Sequence, residues 1–160
     1  PEISPEFGSE LLYQGQKLKI KKSKDRQFYK DENGLYVPCE SSQLQGKLKG
    51  FLKSKARDHL DFASKDYANL IGKKYFKLTL RDTRSRWGSC TSNGHLMYSW
   101  RLIMAPPKVL NYVAAHEVSH LLHLNHSNQF WETVSYLMPD FKQHKDWLKK
   151  NGQSLHRFKL

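Results

Sequence analysis

Apolar residues recur every three or four positions from Leu44 to Leu70, through Leu48, Leu52, Ala56, Leu60, Ala63 and Tyr67. That period belongs to a helix with one buried stripe. Lysines and arginines between these positions give the stretch a charged outer face. It predicts one long helix from about Ser42 that ends near Gly72. Upstream, Leu11–Ile20 alternates weakly and suits an edge strand. Residues 21–33 are charged and polar, with a turn at Glu32-Asn33-Gly34, and Leu35–Pro38 is a short strand. Downstream, Tyr75–Arg81 alternates as a strand does. Trp87–Cys90 and His95–Trp100 flank Ser92-Asn93-Gly94, and Asn-Gly between such segments signals a hairpin. Val109, Tyr112, Val113, Ala114, Ala115, Val118, Leu121 and Leu122 then form an apolar surface at helical spacing. Pro106 and Pro107 precede it, where proline suits a helix start. Ser127 reads as the cap of a further helix, Asn128–Met138. Pro139 breaks the chain, and Phe141–Lys150 forms a last helix with Gly152 close to its C-terminal end. Strands, a long helix, more strands and then helices predict an α+β fold.

The helix that starts at the two prolines carries His116-Glu117-Val118-Ser119-His120. Histidines four apart project from one face of a helix, with Glu117 beside them, and His126 follows where the helix should be ending. Two ligands and a general base from one helix, with a third ligand from just beyond it, encode a catalytic zinc site. His123 is the competing third ligand. On a straight helix it would lie about 10.5 Å along the axis from His116, too far for bonds of about 2.1 Å to a shared ion. His126 can reach if the chain turns back, and Asn125 is expected to make that turn in the left-handed conformation. His123 is then a surface histidine or a support for the ligands.

Composition narrows the setting. The 160 residues suit one domain, and 38% apolar with 12% aromatic residues suffices for a core. Residues 1–9 read as vector-derived, since Glu-Phe and Gly-Ser are what common cloning sites encode, which leaves 10–160 as the domain. No apolar run approaches the roughly 18 residues that cross a bilayer, and no signal peptide of the usual form is evident. Two cysteines, Cys39 and Cys90, make no disulfide framework, so a cytoplasmic setting is expected. The net charge of +12 would attract anions such as nucleic acid or nucleotides, or simply be a solvated basic surface.

Several segments together resemble the YgjP-like family of zinc-dependent hydrolases, relatives of the SprT-like and WLM metalloproteases. They are Arg81-Asp82-Thr83-Arg84-Ser85-Arg86-Trp87-Gly88-Ser89-Cys90, Trp100-Arg101-Leu102-Ile103 with Ala105-Pro106, Tyr112-Val113 leading into the histidine motif, Asn125-His126-Ser127, and Phe130-Trp131. The resemblance implies a zincin-like core with a small antiparallel or mixed sheet. It implies His116, His120 and His126 as ligands of one zinc ion and Glu117 as catalytic acid/base. It also implies a shortened N-terminal strand segment at residues 11–38, because family members usually begin with a further strand. Metzincins share the ligand spacing but carry glycine where this chain has His123.

Such a site expects a peptide or protein substrate. Tyr98, Arg101 and Tyr112 are candidate oxyanion or substrate contacts; each tyrosine reads first as a core aromatic, and Arg101 could instead pair with a carboxylate. Trp87 and Gly88 are expected to shape the cleft, with glycine permitting close backbone approach. His95–Trp100 is the strand to which an extended peptide would add. Cys90 reads as a small buried residue near the site. Two other functions compete. Arg81, Arg84, Arg86 and Arg101 make hydrolysis of a nucleotide phosphoanhydride or another anionic substrate a rival. A nucleic-acid-binding module with a structural zinc is the second, and it requires a fourth protein ligand.

Overall fold

The computed structural model describes residues 1–160. The elements in order are β1 (Glu10–Tyr13), β2 (Gln16–Lys22), β3 (Tyr29–Asp31), β4 (Gly34–Val37), α1 (Leu44–Leu70), β5 (Lys77–Arg81), β6 (Gly88–Cys90), β7 (His95–Ser99), α2 (Pro107–Ser119), α3 (Asn128–Leu137) and α4 (Phe141–Leu155). A short 3-10 helix, Trp100–Met104, joins β7 to α2. The architecture is α+β, as the order of patterns predicts. The strands form two small sheets, ordered β1-β2-β4-β3 and β5-β7-β6. Both are mixed, because β2 runs parallel to β4 and β5 runs parallel to β7.

The long helix keeps its predicted stripe. Leu44, Leu48, Leu52, Ala56, Leu60 and Ala63 are buried, joined by Ser64 and Ala68. Leu70 departs from the expectation and is 53% exposed, because α1 stops there. Gly72 has φ +68°, the Lys73 N–H donates to the Ala68 carbonyl and the Gly72 N–H to that of Asn69. This is the Schellman closure, and glycine suits its left-handed residue. One core runs through α1, the inner faces of both sheets, the 3-10 helix and α2.

Four boundaries differ from the sequence pattern. Leu11–Ile20 is not one edge strand but the hairpin β1–β2, turned at Gln14 (φ 51°) and Gly15 (φ 80°). The turn docks by its backbone: the Gln14 and Gly15 N–H groups donate to the carbonyls of Ile103 and Met104, just before α2 begins. The charged stretch hides the three-residue strand β3. Trp100 opens the 3-10 helix instead of ending a strand. α4 runs on to Leu155, so Gly152 lies within it; a Cβ there would fall 2.9 Å from Trp87 Cζ2. The hairpin β6–β7 is present, and Gly94 has φ +84° in its turn. Ile3 forms a parallel bridge with Phe158, and Phe7 packs on the core. No helix is long and apolar enough to cross a membrane.

Candidate metal centre

α2 is almost wholly buried, with Val109, Tyr112, Val113, Ala114, Ala115 and Val118 fixing its rotation. That rotation turns His116 and His120 toward the start of α3. The helix closes at Ser119, and His120 caps it. The Leu121 and Leu122 N–H groups donate three residues back, to Val118 and Ser119, which tightens the exit into a 3-10 turn. The expected left-handed Asn125 is not found, since Gln14 is the chain's one non-glycine residue with positive φ. The tightened exit reverses the chain without it. Ser127 then caps α3 as predicted, its hydroxyl accepting from the Phe130 N–H at 3.2 Å.

The reversal brings one ligand atom each from His116, His120 and His126 within 4.8 Å of one another. Tetrahedral zinc with bonds of about 2.1 Å separates its donors by about 3.4 Å, so the three rings fit an ion with small side-chain adjustment. Their ring nitrogens are also prepared. His120 Nδ1–H donates to the His123 carbonyl at 2.9 Å, leaving Nε2 as the free lone pair. His116 Nδ1 lies 3.0 Å from Glu117 Oε2, and donation there leaves its Nε2 free in the same way. Burial first, then the neighbouring rings of His116 and His120, lower the pKa of His126 and favour its neutral, ligating form. Such backing hydrogen bonds orient metal ligands and set their tautomer. The His123 ring lies elsewhere, in a hollow with Leu70, Leu122, Gln129 and Tyr136. Its backbone, not its ring, supports the cluster.

Aromatic rings hold the imidazoles from the far side. Phe130 stacks on His120 at 4.4 Å, and Trp131 stacks on His126 at 5.9 Å. Sequence reasoning gave these two residues no role at the centre. The signal was present in their spacing from Ser127, which puts both in the first turn of α3.

Glu117 is 5% exposed, and β6 presses on it. A Cβ on Gly88 would sit 2.9 Å from Glu117 Cγ and 3.1 Å from its Oε2, so glycine is required for the close approach. Beside them opens a cleft of about 200 Å³ lined by Arg86, Trp87, Gly88, Tyr112, Val113, His116, Glu117 and Leu148. Trp87 is held from behind by the His156 ring, stacked at 4.9 Å. Burial, then the Glu117 charge, pushes the Tyr112 phenol well up, so it is a proton donor at neutral pH. The same two causes raise the half-buried Cys90 thiol to about 11, which leaves it inert.

The other candidates lie away from the cleft. Tyr98 is fully buried, and its hydroxyl shares a 2.9 Å hydrogen bond with Ser64 on α1. Arg101 is 1% exposed. Its guanidinium donates to both carboxylate oxygens of Asp82, at 2.7 and 3.2 Å, and to the carbonyls of Leu155 and Phe158. It is the carboxylate partner that was the alternative for it, and it has no reach to a substrate. The peptide-adding strand must also be corrected. β7, which holds His95–Ser99, is paired on both sides, so the free edge beside α2 belongs to β6.

No curated protein matches the chain. Among solved structures, the fold is similar to that of the metallopeptidase zymogen abylysin of Pyrococcus abyssi. The likeness has a TM-score of 0.52 at 16% identity and covers 63% of this chain and 99% of that one. A family model described as YgjP-like, metallopeptidase domain, matches residues 1–151. That span takes in both sheets, the histidine helix, the turn to His126 and most of α4, and it makes this chain a member of the YgjP-like family, a metal-dependent peptidase domain.

Proposed function

We infer that the protein is a zinc-dependent peptidase in which His116, His120 and His126 hold one ion and Glu117 is the catalytic acid/base. The observation that carries this is the convergence of three imidazole donors within 4.8 Å, next to a nearly buried carboxylate that opens on a cleft. Three neutral imidazoles suit zinc, and a catalytic site keeps its fourth position open, whereas a structural one closes it with a fourth protein ligand. The cluster has three members, which supports the enzyme over a structural zinc module. A zinc ion held there supplies a Lewis acid and lowers the pKa of bound water to about 7.

The chain's own groups do the rest. The Glu117 carboxylate takes the proton of the attacking water and returns it to the leaving amine. Gly88 and the His116 ring confine that carboxylate, so its proton transfers start from a fixed position. Tyr112 is the donor best placed for the developing oxyanion, because it lines the cleft while Tyr98 and Arg101 are committed elsewhere. Trp87 and Gly88 form one wall. An extended peptide pairs with the free edge of β6 and passes over the cleft.

The test is turnover by the zinc-loaded chain on casein or a peptide library, with Glu117→Gln as control. Arg86 at the cleft is the observation that favours an anionic substrate such as a nucleotide, so nucleoside triphosphates form the second arm. Peptide cleavage lost in Glu117→Gln supports the peptidase. Triphosphate hydrolysis lost in that variant, without peptide cleavage, assigns the phosphoanhydride instead.

A further inference from the structure

Arg86 lines the cleft, and Lys145 stands in the hollow next to it. Arg86 lies on the segment that leads into β6, is exposed, and lines the cleft together with Glu117 and His116. It pairs with no carboxylate; the nearby Asp82 is committed to Arg101. α4 lines another part of the cleft. Leu148 of that helix faces the cleft, and Lys145 lies one turn earlier on the same helical face. The Lys145 ammonium sits 4.3 Å from the Trp131 ring centroid, and Trp131 in turn stacks on His126. That contact holds Lys145 beside the histidine cluster while leaving it exposed. Glu117 is the one acidic residue lining the cleft, and it is at the floor, confined by Gly88. Lys145 and Asp146, the next residue on α4, both line the neighbouring hollow, with Lys142 and Trp131. A substrate that crosses the cleft and runs on into that hollow therefore meets Arg86 in the one and Lys145 with Lys142 in the other.

We propose that Arg86 and Lys145 form an acid-selective subsite, so that the enzyme cleaves peptides carrying Asp or Glu close to the scissile bond. This rests on the peptidase reading. Arginine binds a carboxylate through two parallel hydrogen bonds. Lysine acts as a point charge, and its hold on Trp131 fixes where that charge lies.

The experiment uses the zinc-loaded full chain and a position-randomised peptide library, with cut sites read by mass spectrometry. A parallel arm measures binding of fluorescent peptides that differ only in Glu or Gln to the Glu117→Gln protein, by anisotropy. The expected result is enrichment of Asp and Glu within a few residues of the cut. Exposed ion pairs of this kind are worth up to about fivefold each. The kcat/KM preference for Glu over Gln therefore falls measurably, by up to about fivefold, in Arg86→Gln and in Lys145→Gln, through KM, and shrinks with added salt. Charge reversal by Arg86→Glu cancels what Lys145 alone would leave. Cut sites without acidic enrichment, or an unchanged Glu/Gln ratio in the variants, overturn the subsite and leave the peptidase standing. If no peptide is cut, the peptidase reading fails, and the anisotropy arm still decides: equal affinity for the Glu and Gln peptides overturns the subsite.

Discussion

Glu117 has little freedom. It is 5% exposed, its Oε2 is 3.0 Å from His116 Nδ1, and the backbone of Gly88 leaves no room for a methyl group beside its Cγ. Gly88→Ala must therefore move either the carboxylate or strand β6. The expected outcome is a fall of at least about tenfold in kcat, since small misplacements of a catalytic group cost that much or more, with metal content unchanged. Kinetics and metal analysis on the same preparation check it. Tyr112→Phe removes a donor without changing the shape of the cleft. Loss of one oxyanion donor costs about 10²-fold in kcat, and KM should hold; a KM effect alone would make Tyr112 a binding wall. At this scale the histidines and Glu117 are legible in sequence because the motif is local. Trp87 shows the limit. Its place depends on Gly152 and His156, which contact it from the far end of the chain, and no local pattern records that contact.

Elements were readable where periodicity or turn chemistry is strong. The stripe of α1, the Asn-Gly turn of β6–β7, the prolines before α2 and the Ser127 cap of α3 each announce themselves within a few residues. The hairpin β1–β2 does not, because its turn places Gln14 at positive φ, a conformation glutamine rarely signals. Nor does α2's exit, which closes by 3-10 hydrogen bonds and leaves Asn125 in an ordinary conformation. The parallel pairings of β2 with β4 and β5 with β7 are long-range, and alternation within a strand carries no information about its partner. The Ser127 cap matters to the centre because α3 begins right after His126 and carries Phe130 and Trp131 behind the rings. Ser127→Ala should lower stability by about 1 kcal/mol, as lost caps do, and should weaken metal affinity as α3 frays. Thermal melts with and without metal measure both; an apo melt that does not change would remove the cap from the account.

At the scale of the molecule, Arg101 ties the two walls of the cleft together. It grips Asp82, just before the segment that carries Arg86 and Trp87, and the carbonyls of Leu155 and Phe158 at the end of α4. Burial alone would raise the Asp82 pKa; hydrogen bonding and charge from Arg101, with help from Arg84 and His156, outweigh it and hold the carboxyl below its usual value. A depressed folded pKa stabilises above the unfolded value of about 3.9 and loses that contribution as pH falls through the folded one. Asp82→Asn should therefore cost about 2 kcal/mol at neutral pH, and the gap to the wild type should begin to narrow as pH falls below about 3.9 and close only below the depressed folded value. A gap that does not narrow in acid would contradict the ion pair. We expect His116, His120 and His126 to share one ion, and all of the proposed chemistry depends on it. Metal analysis of the purified chain and of two variants, after dialysis against dilute zinc, tests this most directly. The prediction is one zinc per chain in the wild type and in His123→Ala, and almost none in His126→Ala. Full zinc in His126→Ala, or its loss in His123→Ala, would contradict it.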